Sequence, residues 1–306
     1  MINLDQKAQD KIFSRLASQL KEDYSNSFLE YPITVQDTYK AKYLDLLGLK
    51  ESDLVLDTGC YAGYFASFLS KKFGSRVIGS DLSLTCIKYC IKCDRYSNRF
   101  CVADLEDLPF AKDSFDAVLC IGVLEHTPDA RRALSEIYRV MKPGGRLVIH
   151  LPLKDHKYTF LWLLERMMPK KMQEQSLGIG HDFRKIPTHD EIISLLKENR
   201  FLIQEAERIG FFLQPFHDWC LVPFLHQKVF EPLKRLAGRM RFSRNQIRMV
   251  SSRAAVPLAP DNIYGSGLLR KIYSLTVVAV VKKLILIEKL LGLKKGYAVY
   301  ILVVKR

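Results

Sequence analysis

The sequence predicts an α/β fold: a seven-stranded, mostly parallel sheet with helices on both faces, extended by helical insertions. Three observations predict it. Between Leu54 and Leu151, short apolar runs alternate with segments of helical period, and strand alternating with helix makes a parallel sheet covered on both sides. Two further strand-like runs follow, "FLIQEAERIGFF" and "GYAVYILVVKR". The first apolar run ends in an acid and a glycine turn, and sheets of this kind hold ligands at the carboxyl ends of their strands.

Each element has its own signature. The opening stretch "MINLDQKAQDKIFSRLASQL" is charged and amphipathic, without the apolar core of a signal peptide. Residues 1–40 are therefore expected to form a helical cap. "LVLDTGC", "RVIGSDLS", "RFCVADL", "FDAVLCIGVL" and "GRLVIHLP" are rich in Val, Ile and Leu and read as buried strands. Between them, "YFASFLSKKFG", "LTCIKYCIKCDRYS" and "DARRALSEIYRVMKPGG" have helical spacing. Residues 154–185 interrupt the pattern and are expected to form an insertion at the acceptor site. Thr188 followed by Glu191 is a capping box that opens the next helix. The sixth strand follows, then an insertion over 213–295, then the last strand. The core is thus expected over 41–212 and 296–306.

The 306 residues carry 47 Lys and Arg against 33 Asp and Glu, a net charge of +14. Residues 213–295 hold 15 of the bases and 4 of the acids, so most of the excess sits in one insertion. A local basic excess implies an anionic partner surface, membrane or nucleic acid. Seven cysteines, an odd number without framework spacing, point to a reducing, cytoplasmic setting.

"VLDTGCYAGYF" places Asp57, Gly59, Cys60 and Gly63 where the first strand turns into a helix. Glycines allow close backbone approach to a ligand, and the helix that follows directs its amides into the site. Asp81 ends the second strand, 22 residues after Gly59, at the place of a ribose-binding carboxylate. Asp104 ends the third. With "DSFDAVLCIGVLEH" and "EIYRVMKPGGRLVI" in order, these segments resemble the class I S-adenosylmethionine-dependent methyltransferases, over about residues 40–212 and the last strand. The resemblance implies a Rossmann-like fold and S-adenosylmethionine as cofactor. It implies that Asp57, Gly59 and Gly63 hold the methionine part and Asp81 the ribose, with Cys60 and Leu82 also in the cofactor site. Asp104 and Leu105 would meet adenine, with Ile121 at the end of the fourth strand. Tyr61 departs from the family, which has glycine there. It is expected either to narrow the cofactor site or to point away from it.

Competing chemistries weigh less. A nicotinamide dehydrogenase needs a Gly-x-Gly-x-x-Gly turn, which is absent. Cys86, Cys90 and Cys93 have the C-x3-C-x2-C spacing of radical enzymes, but they fall on one face of a predicted helix, and Lys92 replaces the usual aromatic. Thiols packing a helix on the sheet are the simpler account. A cofactor-fold binding protein without catalysis is the remaining alternative, because fold alone does not establish function.

Methyl transfer mainly needs alignment of the acceptor and, for a hydroxyl, removal of a proton. "GVLEHTPD" puts Glu125 and His126 past the fourth strand, where His126 can act as base or the pair can organise the turn. "FLWLLERMMPKKM…GHDFRKIPTHDEI" resembles the corresponding region of ubiquinone-biosynthesis O-methyltransferases, with His181 and Asp182 as expected acceptor-site residues. That family's Glu-x-x-Glu-His run is incomplete here, Gly122 standing for the first acid, so no metal is expected. "LLRKIYSLTVVAVVKKLILIEKLLG" (268–292) would extend about 37 Å as a helix. Lys282 and Lys289 then fall within about 20° of Lys271, one lysine stripe on an apolar helix. This describes an element lying in a membrane interface. The expectation is a lipophilic acceptor at an anionic membrane surface and a cytoplasmic, peripheral location. The alternatives are a soluble lid or dimer contact, and an RNA methyltransferase using "RLAGRMRFSRNQIRMVSSR". Oligomeric state and the atom methylated stay open.

Overall fold

The computed structural model describes residues 35–169, 186–210 and 296–306, with residue 11 and scattered positions between 279 and 290. Helix α1 (Val35–Leu46) leads into β1 (Leu54–Thr58), α2 (Tyr64–Phe73), β2 (Arg76–Asp81), α3 (Leu84–Cys93) and β3 (Arg99–Val102). Then come β4 (Phe115–Ile121), a 3-10 turn (Leu124–His126), α4 (Ala130–Val140) and β5 (Met141–Pro152). Helices α5 (Phe160–Met167) and α6 (His189–Glu198) and strands β6 (Phe201–Ile209) and β7 (Ala298–Lys305) complete the described chain.

The strands form one sheet in the order β3-β2-β1-β4-β5-β7-β6. The first five are parallel. β7 runs antiparallel between β5 and β6. One core layer joins Tyr43 and Leu44 of α1, and Leu47 just after it, to Phe68 and Leu69 of α2 on one face. The other layer joins Leu134 and Ile137 of α4 to Ile192 and Leu196 of α6. Helices on both faces explain why the central strands are apolar throughout rather than alternating.

Local chemistry agrees with these boundaries. Ser83 caps α3, Asp129 caps α4 and Thr159 caps α5, each accepting from a first-turn amide. Thr188 and Glu191 form the expected capping box. Three expectations change. The boundary at residue 40 falls inside α1, because Tyr39 and Tyr43 on either side of it both pack on Tyr300 of β7. The third strand ends at Val102, before Asp104, because Asp104 starts a turn whose Glu106 amide it accepts. The "MKPGG" placed with the preceding helix belongs to β5, entering through a register shift opposite Phe115 and Ala117. His181 and Asp182 lie outside the described residues, as do 170–185 and most of 213–295.

Candidate active site

The carboxyl ends of β1, β2, β4 and β5 border a cavity of about 370 Å³. Gly59, Cys60, Asp81, Leu82, Asp104, Leu105, Ile121 and His126 line it, so eight of the expected site residues meet in one place. Gly59 has φ 61, and a Cβ there would sit 2.4 Å from Val123. The contact leaves no room for a side chain and the positive φ adds strain, so the loop can pass tightly under the cavity only as glycine. Gly63, with φ 73, caps α2 and turns the chain into that helix.

Asp81 organises the centre. Its Oδ2 accepts the Tyr61 amide and its Oδ1 the Ser83 amide, both at 2.9 Å. One carboxylate thereby fixes the glycine loop and the start of α3, while it lines the cavity. Asp57 lies below the lining residues, buried. One oxygen accepts the Ala66 amide of α2, and Oδ2 has no partner among the described residues. Burial, with the charge of Asp81 adding and the Ala66 amide opposing, pushes Asp57 up to about 8. The amide of Ala66 thus points at Asp57, whereas the sequence reading had the helix amides facing the site.

The loop bearing Asp104 and Leu105 is held by α4. Leu108 donates its amide to Glu136, and Arg139 donates to the carbonyls of Leu108 and Phe110 and to Glu136. That is the physical content of the "EIYR" segment. His126 lines the cavity from the 3-10 turn. Glu125 does not: it is 3% exposed, beneath the turn, and burial pushes it up to about 8. A direct catalytic part for Glu125 therefore gives way to a supporting one, because no face of it reaches the lining.

The cysteines also have a place. Cys86 and Cys90 are buried on α3, and the Cys60 and Cys90 thiols hydrogen-bond each other. Cys90 also donates to the Tyr61 carbonyl at 3.2 Å. Cys60 and Cys90 thereby fasten the glycine loop to α3.

Several lining residues escaped the sequence reading: Lys40 of α1, Thr58, Tyr64, Phe65, Thr127 and His150. His150 sits in an apolar strand run, and Lys40 in a segment separate from every motif. Only packing brings them here. Tyr61 also lines the cavity, at φ 47, edge-on to Tyr64 with ring centroids 6.2 Å apart. Its side chain therefore narrows the site.

A family model described as "Methyltransferase domain" matches residues 56–149. Demethylmenaquinone methyltransferase of Lactococcus lactis is 31% identical over 179 residues, 55% of this chain and 69% of that protein. A sterol 24-C-methyltransferase of Kluyveromyces lactis is 33% identical over 116 residues, 36% of this chain. The chain spans only 31% of that relative's length. Among solved structures, phosphoethanolamine N-methyltransferase 2 of Haemonchus contortus, in complex with S-adenosyl-L-methionine, aligns with a TM-score of 0.51. The alignment has 19% identity and covers 88% of this chain and 52% of that one. It is a likeness of fold.

Proposed function

We propose that this chain, which belongs to the class I S-adenosylmethionine-dependent methyltransferases, methylates a lipophilic small molecule at an anionic membrane surface. The cofactor fits the residues present. Oδ2 of Asp57, buried beneath the cavity, lacks a partner among the described residues, the Gly59 turn leaves a bare backbone floor, and Asp81 and Asp104 both line the cavity. When bound, the cofactor supplies a methyl group on a sulfonium that is open to attack.

The protein's own part is to hold and orient. Asp81 takes the ribose hydroxyls, and Asp104 with Leu105 takes the adenine. Tyr61, Tyr64 and Phe65 form an aromatic wall that excludes water. His126, in the 3-10 turn after β4, receives the acceptor's proton where the acceptor is a hydroxyl, and buried Glu125 holds the turn beneath it.

Two findings support the lipophilic, membrane-facing reading. The relatives' names include a sterol and a demethylmenaquinone enzyme. The observation that carries the reading is the exposure of leucines at described positions of the last insertion. Its described positions 279, 283, 286–288 and 290 are helical, with Leu286 57% and Leu290 77% exposed, while Glu288 is buried. A helix in water buries its leucines and exposes its acid. At these described positions the leucines are exposed beside the exposed Lys283 and the acid is buried, as suits a surface that offers hydrocarbon and anionic headgroups. No helix among the described residues is long and apolar enough to cross a membrane.

The test is flotation with liposomes. The protein should co-float with vesicles containing anionic lipid, less so as salt rises, since basic residues near such a surface contribute about 1 kcal/mol each and are screened. Lys271, Lys282 and Lys289 replaced by Glu should release most of it while cofactor binding stays. Absence of flotation at low salt would end the membrane reading. Binding of RNA with a steep salt slope would replace it. Transfer of labelled methyl to an extracted lipid would then identify the acceptor.

A further inference from the structure

Helix α5 is attached differently from its neighbours. Helices α2, α3, α4 and α6 each bury at least two side chains. Helix α5 buries none, although its sequence, FLWLLERM, is mostly apolar. Its Leu161 packs on the core layer that Tyr64 and Phe65 also meet, and those two line the cavity. The helix thus flanks the site with little apolar burial to keep it there, the mark of an element that opens locally.

A polar contact ties it down. His156 is buried in the connection between β5 and α5. Its Nδ1 lies 2.6 Å from the Leu153 carbonyl oxygen. Its Nε2 lies 3.0 Å from Oε2 of Glu165 on α5, and Oε1 of Glu165 is buried with no partner among the described residues. Both ring nitrogens therefore face oxygen acceptors. A neutral imidazole donates from one nitrogen only, so the contact needs one proton more than a neutral imidazole and a carboxylate hold together. That proton lies between Nε2 and Oε2. Once it leaves, two lone pairs face each other in a buried place, which is costly.

We propose that His156 and Glu165 form a proton-operated latch, which docks α5 beside the cavity and releases it as pH rises. The latch concerns α5 alone and holds whatever acceptor the site takes. Its charged surroundings are largely engaged elsewhere. Asp155, next in sequence, is held by Arg208 of β6 at 2.8 Å and by the His189 amide of α6 at 3.1 Å. The His189 ring meets Asp190 at 3.4 Å, and Lys154 meets Glu191 at 2.9 Å. Lys157 is exposed. Burial lowers the His156 pKa, but Glu165 outweighs burial and holds it above the ordinary value. Docking is therefore favoured below the ordinary value and lost as pH rises through the raised one.

Trp162 of α5 reports the state of the helix. The chain has two tryptophans, so Trp219→Phe in the full-length protein leaves Trp162 alone. Acrylamide quenching of its fluorescence should rise at least about twofold from pH 5 to pH 9, with a midpoint above the ordinary histidine value of about 6.5. Circular dichroism should show the sheet still folded. Glu165→Gln separates the latch from packing. Its amide N–H donates to Nε2 of a neutral imidazole while Nδ1 still donates to Leu153, so α5 should stay docked and quenching should stay low throughout. His156→Ala should raise quenching at every pH. A flat wild-type profile, a Glu165→Gln variant with the wild-type step, or low quenching in folded His156→Ala would overturn the proposal. Should His156→Ala fail to fold, the other two proteins decide it.

Discussion

The Asp81 carboxylate accepts the backbone amide of Tyr61 at 2.9 Å. Its second oxygen accepts the amide of Ser83 at the same distance. The residue placed to hold ribose is therefore also the clasp between the glycine loop and α3. Substitutions at Asp81 act on both roles.

Asp81→Ala should abolish measurable binding of S-adenosylmethionine, because a charged partner is lost and the loop is released. Asp81→Asn separates the roles. Its amide oxygen can still accept one of the two backbone N–H groups, so the fold should persist, with affinity reduced about tenfold or more. Calorimetry showing wild-type affinity in either folded variant would remove Asp81 from the cofactor site.

Tyr61 has φ 47, which costs a side-chain-bearing residue about 1–2 kcal/mol. Tyr61→Gly removes that strain but adds about 0.5–1 kcal/mol of unfolded-state entropy. The net change in stability should be within about 1 kcal/mol, with the loop conformation retained. Tyr61→Val, β-branched at a positive φ, should be clearly destabilising. Urea denaturation of the two variants compares them directly. A Gly variant less stable than the Val variant would contradict the assigned backbone geometry.

Cys86 is fully buried and Cys93 is partly exposed. Cys86→Ser should cost about 1–3 kcal/mol through a buried hydroxyl that must find a partner. Cys93→Ser should be near neutral. The triple serine variant of Cys86, Cys90 and Cys93 should still bind S-adenosylmethionine, and protein purified without oxygen should carry no stoichiometric iron. An iron–sulfur cluster whose loss abolished cofactor binding would reverse this account.

The strands were legible because each is a short Val, Ile and Leu run between turn residues, and parallel pairing follows from the helices between them. Asp57, Gly59 and Asp81 were legible because a strand-end acid and a glycine turn are local in sequence. The other half of the cavity wall was not. Lys40 reaches the site only because Tyr39 and Tyr43 stack on Tyr300, 257 residues further on from Tyr43. His150 follows an unbroken apolar run, and nothing in that run distinguishes a core position from a cavity wall. The burial of Glu125 was equally hidden, since its neighbour His126 faces the cavity and the two are adjacent in sequence.

The pH dependence of stability should run against the usual direction for carboxylates. Burial pushes both Asp57 and Glu125 up to about 8, while in the unfolded chain such groups ionise near pH 4. Between about pH 4 and 8 the folded protein therefore binds more protons than the unfolded one, and these two groups lose stability as pH rises. His156 adds to this. Burial lowers its pKa, but Glu165, 3.0 Å away, outweighs burial and holds it above the ordinary value. Its contribution is present at low pH and is lost as pH rises through the raised value. Glu136 works the other way: Arg139 holds its carboxyl low, so its contribution is lost as pH falls. Variants isolate the buried acids from this mixture. Asp57→Asn and Glu125→Gln cannot ionise, so the double variant should lose less stability than wild type between pH 5 and pH 8. Urea midpoints at the two pH values, with unchanged m, measure it. Equal losses in both proteins would mean that neither acid holds its proton in the folded state.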